Sequence, residues 1–91
     1  MTQEDIYYQS ARNFFERYKI EATEHIVDVA VSVMRTRDGI WQGGSFVQSI
    51  IENDLESAIS RADNQCVQHL KTFVLIKRNC FVDSELKYYK V

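Results

Sequence analysis

Two groups of residues in this 91-residue chain have the types and spacing that chemistry requires. Cys66 and His69 lie three positions apart, about one helical turn, and His25 and Cys80, the remaining histidine and cysteine, could complete a zinc site with them. A thiol and an imidazole on one helix face suit either a nucleophile with its base or half of a zinc site. Structural zinc draws four ligands from tight local pairs such as C-x2-4-C, whereas this chain offers a single mixed pair. Reduced, buried thiols beside ordinary histidines are the simpler reading, and no metal is expected. The second group is Asp54, Arg61 and Asp63. Arg61 follows Asp54 by seven positions, on the same side of a helix, so two carboxylates around a guanidinium could handle an anion or a proton. A structural polar network is simpler: Asp63 caps the helix that follows it, and Arg61 ties carboxylates or backbone carbonyls. There is no glycine-rich phosphate loop with Lys, no nucleophile elbow and no paired metal-binding histidines. No catalytic residue and no cofactor is therefore assigned, and a non-enzymatic protein is expected.

Binding surfaces are better represented. All three glycines fall in Arg37–Gly44, the main loop of the chain, and Ile40 and Trp41 sit inside it. A Trp on a loop makes a good interface anchor, and it can equally fold back to seal the core. Tyr88 and Tyr89 near the C-terminus, with Tyr7 and Tyr8 near the start, add aromatic surface suited to a protein partner or a homo-oligomer. Charge is uneven. Glu52 to Asp63 holds four acids and one base, whereas Asn64 to Val91 holds five bases (Lys71, Lys77, Arg78, Lys87 and Lys90) and two acids. Basic residues mixed with Tyr88 and Tyr89 make nucleic acid the alternative partner. Cations that complement helix C-termini and lysine stems lying over tyrosines explain the same residues more simply. Eleven Lys+Arg against thirteen Asp+Glu, net −2, do not favour nucleic acid or an anionic membrane.

These residues need elements to position them, and the periodicity is helical. Tyr7, Ala11, Phe14 and Tyr18 recur at helical spacing over about Gln3 to Ile20, with Phe15 widening the stripe and Thr2 as N-cap. From Thr23 to Arg35, Val27, Val29, Val31 and Val33 alternate as in a strand. Ile26, Val29, Ala30, Val33 and Met34 equally form one helical face, and Thr23 before Glu24, basic Arg35 and Arg37, and Gly39 tip the reading to helix. Ser45 with Gln48 suggests a capping box opening one continuous helix to Ala62, which buries Val47, Ile50, Ile51, Leu55, Ala58, Ile59 and Ala62. Asp63 then caps a helix to about Arg78 with Val67, Leu70 and Val74 buried and Cys66 and Phe73 flanking. Asp83-Ser84-Glu85 starts a last short helix. The expected fold is all-α, a compact bundle of four to five amphipathic helices in one domain, residues 1–91. The longest strongly apolar run, Phe73 to Ile76, falls far short of the ~20 residues that cross a bilayer, and the acidic start is no secretory signal. A cytosolic protein is expected.

Gly44-Ser45-Phe46-Val47, Ile50-Ile51, Asn53-Asp54-Leu55, Ala58 and Arg61-Ala62-Asp63 together resemble a group of small proteins encoded by bacteriophages and prophages. Leu70-Lys71-Thr72-Phe73-Val74 and Ser84-Glu85 occupy comparable places, so the likeness spans about Gly43 to Tyr89. The chain departs from that pattern at Gln65-Cys66-Val67 and Cys80-Phe81-Val82. The group carries no agreed biochemical activity. The resemblance implies an accessory protein made in a bacterial host's cytosol, which binds a host or phage protein and modulates or inhibits a host system.

Overall fold

The computed structural model describes residues 2–82. Among them are six helices and no strand: α1 (Gln3–Arg17), α2 (Glu24–Arg37), α3 (Ser45–Ile51), α4 (Leu55–Arg61), α5 (Asn64–Gln68) and α6 (Leu70–Asn79). The all-α bundle read from periodicity is what the chain forms. The helix expected to begin at Asp83 lies outside the described residues.

The chain opens on a reciprocal cap. Thr2 Oγ1 accepts the Asp5 N–H at 3.0 Å while the Asp5 carboxylate accepts the Thr2 N–H at 3.1 Å. α1 buries Tyr7, Ala11, Phe14 and Phe15 as its stripe requires, but it stops at Arg17. Lys19 adopts the left-handed conformation (φ 55°), and the Ile20 N–H reaches back to the Phe15 carbonyl, so Tyr18 leaves the stripe and stands exposed. α2 is the central element, packed against α1, α3 and α6. Because it has neighbours on several sides, it buries Val27, Val31 and Val33 together with Ile26, Ala30 and Met34, which is why its valines resemble a buried strand in sequence. Gly39, at φ 79°, ends it.

Two of the expected helices are each broken in two. α3 ends because Asn53 takes the left-handed conformation (φ 61°), with its own N–H donating to the Ile50 carbonyl and that of Asp54 to Ser49. Asp54 then caps α4, its Oδ1 accepting the Ser57 N–H at 3.1 Å. The break changes the helix direction, so Val47, Ile50 and Ala58 are buried while Leu55 and Ile59 stand in solvent, 61% and 49% exposed. The capping box does not form either: Gly44 is the N-cap and Ser45 the first helical residue. The loop is fixed one residue earlier. The Gly43 N–H donates to Thr36 Oγ1, and a Cβ there would lie 2.6 Å from Val47 Cγ1, so the backbone passes where only glycine fits. The next helix is interrupted at His69, whose N–H turns back to the Cys66 carbonyl and closes α5. α6 restarts in a different phase. It buries Phe73 and Ile76, with Cys80 following, and leaves Val74 exposed, as Val67 of α5 is, so that of the line expected from spacing only Leu70 packs against the core.

One guanidinium joins the elements. Arg37, in the last turn of α2, sends Nη1 to the carbonyl oxygens of Ile76, Lys77 and Cys80 at 3.2, 3.1 and 2.6 Å, which ends α6. Its Nε and Nη2 face the Asp38 carboxylate at 2.8 and 3.2 Å, and the Tyr7 hydroxyl donates to the same carboxylate at 2.6 Å. Phe81 covers the guanidinium at 4.4 Å. Arg37 and Asp38 are mostly buried, so removing the cation takes the guanidinium from the Asp38 charge and its donors from the Lys77 and Cys80 carbonyls. Arg37→Met is expected to destabilise the fold by about 3 kcal/mol in urea unfolding, and Tyr7→Phe by about 1–2 kcal/mol. Equal stabilities for wild type and Arg37→Met would remove the guanidinium from this role.

Candidate functional site

Among the described residues, three places on the surface combine exposure with chemistry. The first is the loop after α2. Ile40 packs against the core, but Trp41 does not seal it: the residue is 51% exposed and its ring lies 4.5 Å from the Arg35 guanidinium. The stacking holds a large aromatic face in place at the surface. Tyr88 and Tyr89, the other protein-contact candidates, lie outside the described residues, as do Lys87 and Lys90.

The second place follows from the break between α3 and α4. A groove of about 140 Å³ runs between α4 and α6, with Leu55 and Val74 on its walls and Ala58, Leu70 and Ile50 beneath. Lys71, Val74 and Arg78 share one stripe of α6, and both cations are exposed. Asp54 and Glu56 supply acid on the α4 side. Lys77 does not join the outward cations. Its Nζ donates to the carbonyls of Ile50 and Ile51 at 3.0 and 3.1 Å and to Asn53 Oδ1 at 2.6 Å, and so caps α3.

The third place is where Asp63, His25 and Cys66 meet. Asp63 caps α5 as expected: its Oδ1 accepts the Cys66 N–H at 2.8 Å, leaving Oδ2 at 2.8 Å from His25 Nε2. Cys66 Sγ lies 3.8 Å from that same ring nitrogen. Thr23, the cap of α2, donates its hydroxyl to Gln65 Oε1 at 2.8 Å and so fastens α5 to the start of α2. The cluster opens onto a cavity of about 290 Å³ lined also by Phe46 and Arg61. His69, expected to stand beside Cys66, instead turns toward the Phe73 ring, and Cys80 is buried against Met34 and Ser10.

Asp54, Arg61 and Asp63 do not converge into one site. Each carboxylate caps a different helix, while Arg61 donates to Ser49 Oγ at 3.1 Å and reaches the Ser45 carbonyl at 3.5 Å. The Cys66 thiol is no activated nucleophile. Burial, followed by the hydrogen bond and negative charge of Asp63, pushes its pKa up to about 11, and His25 presents the same nitrogen to both thiol and carboxylate. Sequence reasoning missed His25 as the partner of Asp63, because the two are 38 positions apart and meet only when α5 docks on α2. Compared with known protein families, curated proteins and solved structures, the chain matches none.

Two measurements follow. Burial also pushes the Cys80 thiol up to about 11, so alkylation of either cysteine at pH 7 is expected to run on the order of a hundredfold slower than a free thiol, rising toward pH 11. Rapid labelling at neutral pH would contradict this placement. Backbone N–H groups hold the Asp54 and Asp63 carboxyls below their ordinary value, first through Ser57 and Cys66 respectively. Lowered carboxyl pKa values stabilise the fold above the unfolded-state value of about 3.9, and that contribution is lost as pH falls through the folded-state values. Urea midpoints are therefore expected to drop below about pH 4, and Asp63→Asn is expected to flatten the profile.

Proposed function

We propose that the chain is a non-enzymatic binding protein of phage or prophage origin that docks an amphipathic helix of a host protein and thereby modulates or inhibits it. The observation that carries this reading is the groove between α4 and α6, where Leu55 and Val74 stand open to solvent on facing walls. Fully burying a side chain of this size is worth about 1.5–3 kcal/mol, so a partner that covers Leu55, Ile59 and Val74 gains substantially. An apolar helix stripe laid into a groove is a recurrent mode of recognition. The acidic α4 edge and the basic α6 edge favour a helix carrying the opposite charges on its two flanks.

Trp41 provides a second contact, since Arg35 fixes a ring that is half open to the partner. The resemblance carried by Gly44-Ser45-Phe46-Val47, Asn53-Asp54-Leu55 and Arg61-Ala62-Asp63 supports a phage-encoded factor in a bacterial cytosol. No helix among the described residues is long and apolar enough to cross a membrane. A nucleic-acid partner is less favoured because Lys77 is engaged within the fold.

Affinity capture from bacterial lysate is expected to recover one protein with the wild-type chain and with a Glu16→Gln control. Leu55→Glu is expected to lose it, with helicity unchanged by circular dichroism. Trp41→Ala is expected to weaken recovery by about tenfold. Undiminished recovery by Leu55→Glu overturns the docking face. Recovery of nucleic acid with steep salt dependence, or a homodimer formed through Leu55, overturns the host-protein reading.

A further inference from the structure

We propose that His25, Asp63 and Cys66 form a binding site for a single transition-metal ion of the Zn²⁺ class, with a fourth coordination position facing the cavity beside Phe46 and Arg61. An imidazole nitrogen, a carboxylate oxygen and a thiol sulfur, one from each residue, lie within 4.8 Å of one another. Nitrogen, oxygen and sulfur donors in this number are the set that Zn²⁺ takes when one position is left open.

Two of the three donor separations are close to those around the ion, and the third, between Cys66 Sγ and an Asp63 oxygen, is within 4.8 Å. Tetrahedral Zn²⁺, with bonds of about 2.3 Å to sulfur and about 2.0–2.1 Å to nitrogen, separates those two atoms by about 3.6 Å. The Cys66 Sγ to His25 Nε2 distance is 3.8 Å. Oxygen and nitrogen ligands stand about 3.4 Å apart around such an ion, so the 2.8 Å contact between Asp63 and His25 opens by about half an ångström on binding. Both side chains are about half exposed, which leaves an entry path and freedom for that shift.

The local fold also orients the donors. One Asp63 oxygen is held by the Cys66 N–H, so the other faces the imidazole, and the Thr23 to Gln65 hydrogen bond keeps α5 against the start of α2. Binding releases the Cys66 thiol proton to solvent and leaves a thiolate on the metal, so affinity rises with pH. The metal site involves neither Leu55 nor Val74, so its success or failure is independent of the proposed docking face.

Titration of the reduced, metal-free chain with Co²⁺, followed by competition with Zn²⁺, tests this site. The expected result is one ion per chain, with the visible bands of tetrahedral cobalt and a thiolate-to-metal charge-transfer band. Cys66→Ser should abolish the charge-transfer band. His25→Ala and Asp63→Asn, at exposed positions where folding is retained, should each weaken binding by at least about tenfold. Cys80→Ser and His69→Ala should change neither signal. No charge-transfer band, or one that persists in Cys66→Ser or moves with Cys80→Ser, overturns the site, as does undiminished binding by His25→Ala.

Discussion

The fold depends on how short helices end. Every helix leaves carbonyl oxygens without partners at its C-terminus, and a chain built from segments such as Ser45–Ile51 and Leu55–Arg61 has many such ends. Here the ends of α6 and α3 are closed by cations from neighbouring helices. Arg37 of α2 satisfies three carbonyls at the end of α6, and Lys77 of α6 satisfies two at the end of α3. Each cation sits where a helix dipole is negative, and each ties its own helix to the one it ends. The order α2 to α6 to α3 thus describes a chain of supports as well as a packing arrangement.

That arrangement accounts for the exposed apolar surface. Once α3 stops at Ile51, α4 leaves in a new direction, and Ala58 rather than Leu55 meets the core. The interruption at His69 acts similarly on the next segment, turning Phe73 and Ile76 inward and Val74 outward. The groove between α4 and α6 is therefore a consequence of two breaks that also serve to close the core. The same turn at α5 brings Asp63 and Cys66 up to His25, so the polar cluster arises from the docking of a five-residue helix onto α2.

Much of this was legible in the residues. The 3.6-residue pattern of Tyr7, Ala11 and Phe14 located α1, and Thr23 with Gly39 bracketed α2 despite its alternating valines. The caps at Thr2 and Asp63 were readable because a short polar side chain preceding an apolar run has few other uses. The break at Asn53-Asp54 was written in residues that favour, respectively, a left-handed stop and an N-cap, but the unbroken apolar spacing of Ile51, Leu55 and Ala58 outweighed them. His69 carries no comparable signal, being neither Gly nor Pro. Arg37 was read as a cation at the end of its own helix, whereas its carbonyl partners belong to residues 39 to 43 positions away. The His25, Asp63 and Cys66 cluster was hidden for the same reason, since the sequence sets Cys66 beside His69 and shows Asp63 as a helix cap. Among the binding candidates, Trp41 emerged at the surface, while Leu55 and Val74 were read as core because spacing alone cannot register a change of helix axis.

Site-resolved amide hydrogen exchange on Lys77→Met beside the wild-type chain tests most directly whether borrowed cations end these helices. The expected result is exchange accelerated by about tenfold or more at Glu52, Asn53 and Asp54, the amides that close α3, with the α1 and α2 amides little changed. Unchanged protection at those three positions, or a uniform loss across all helices, would contradict it.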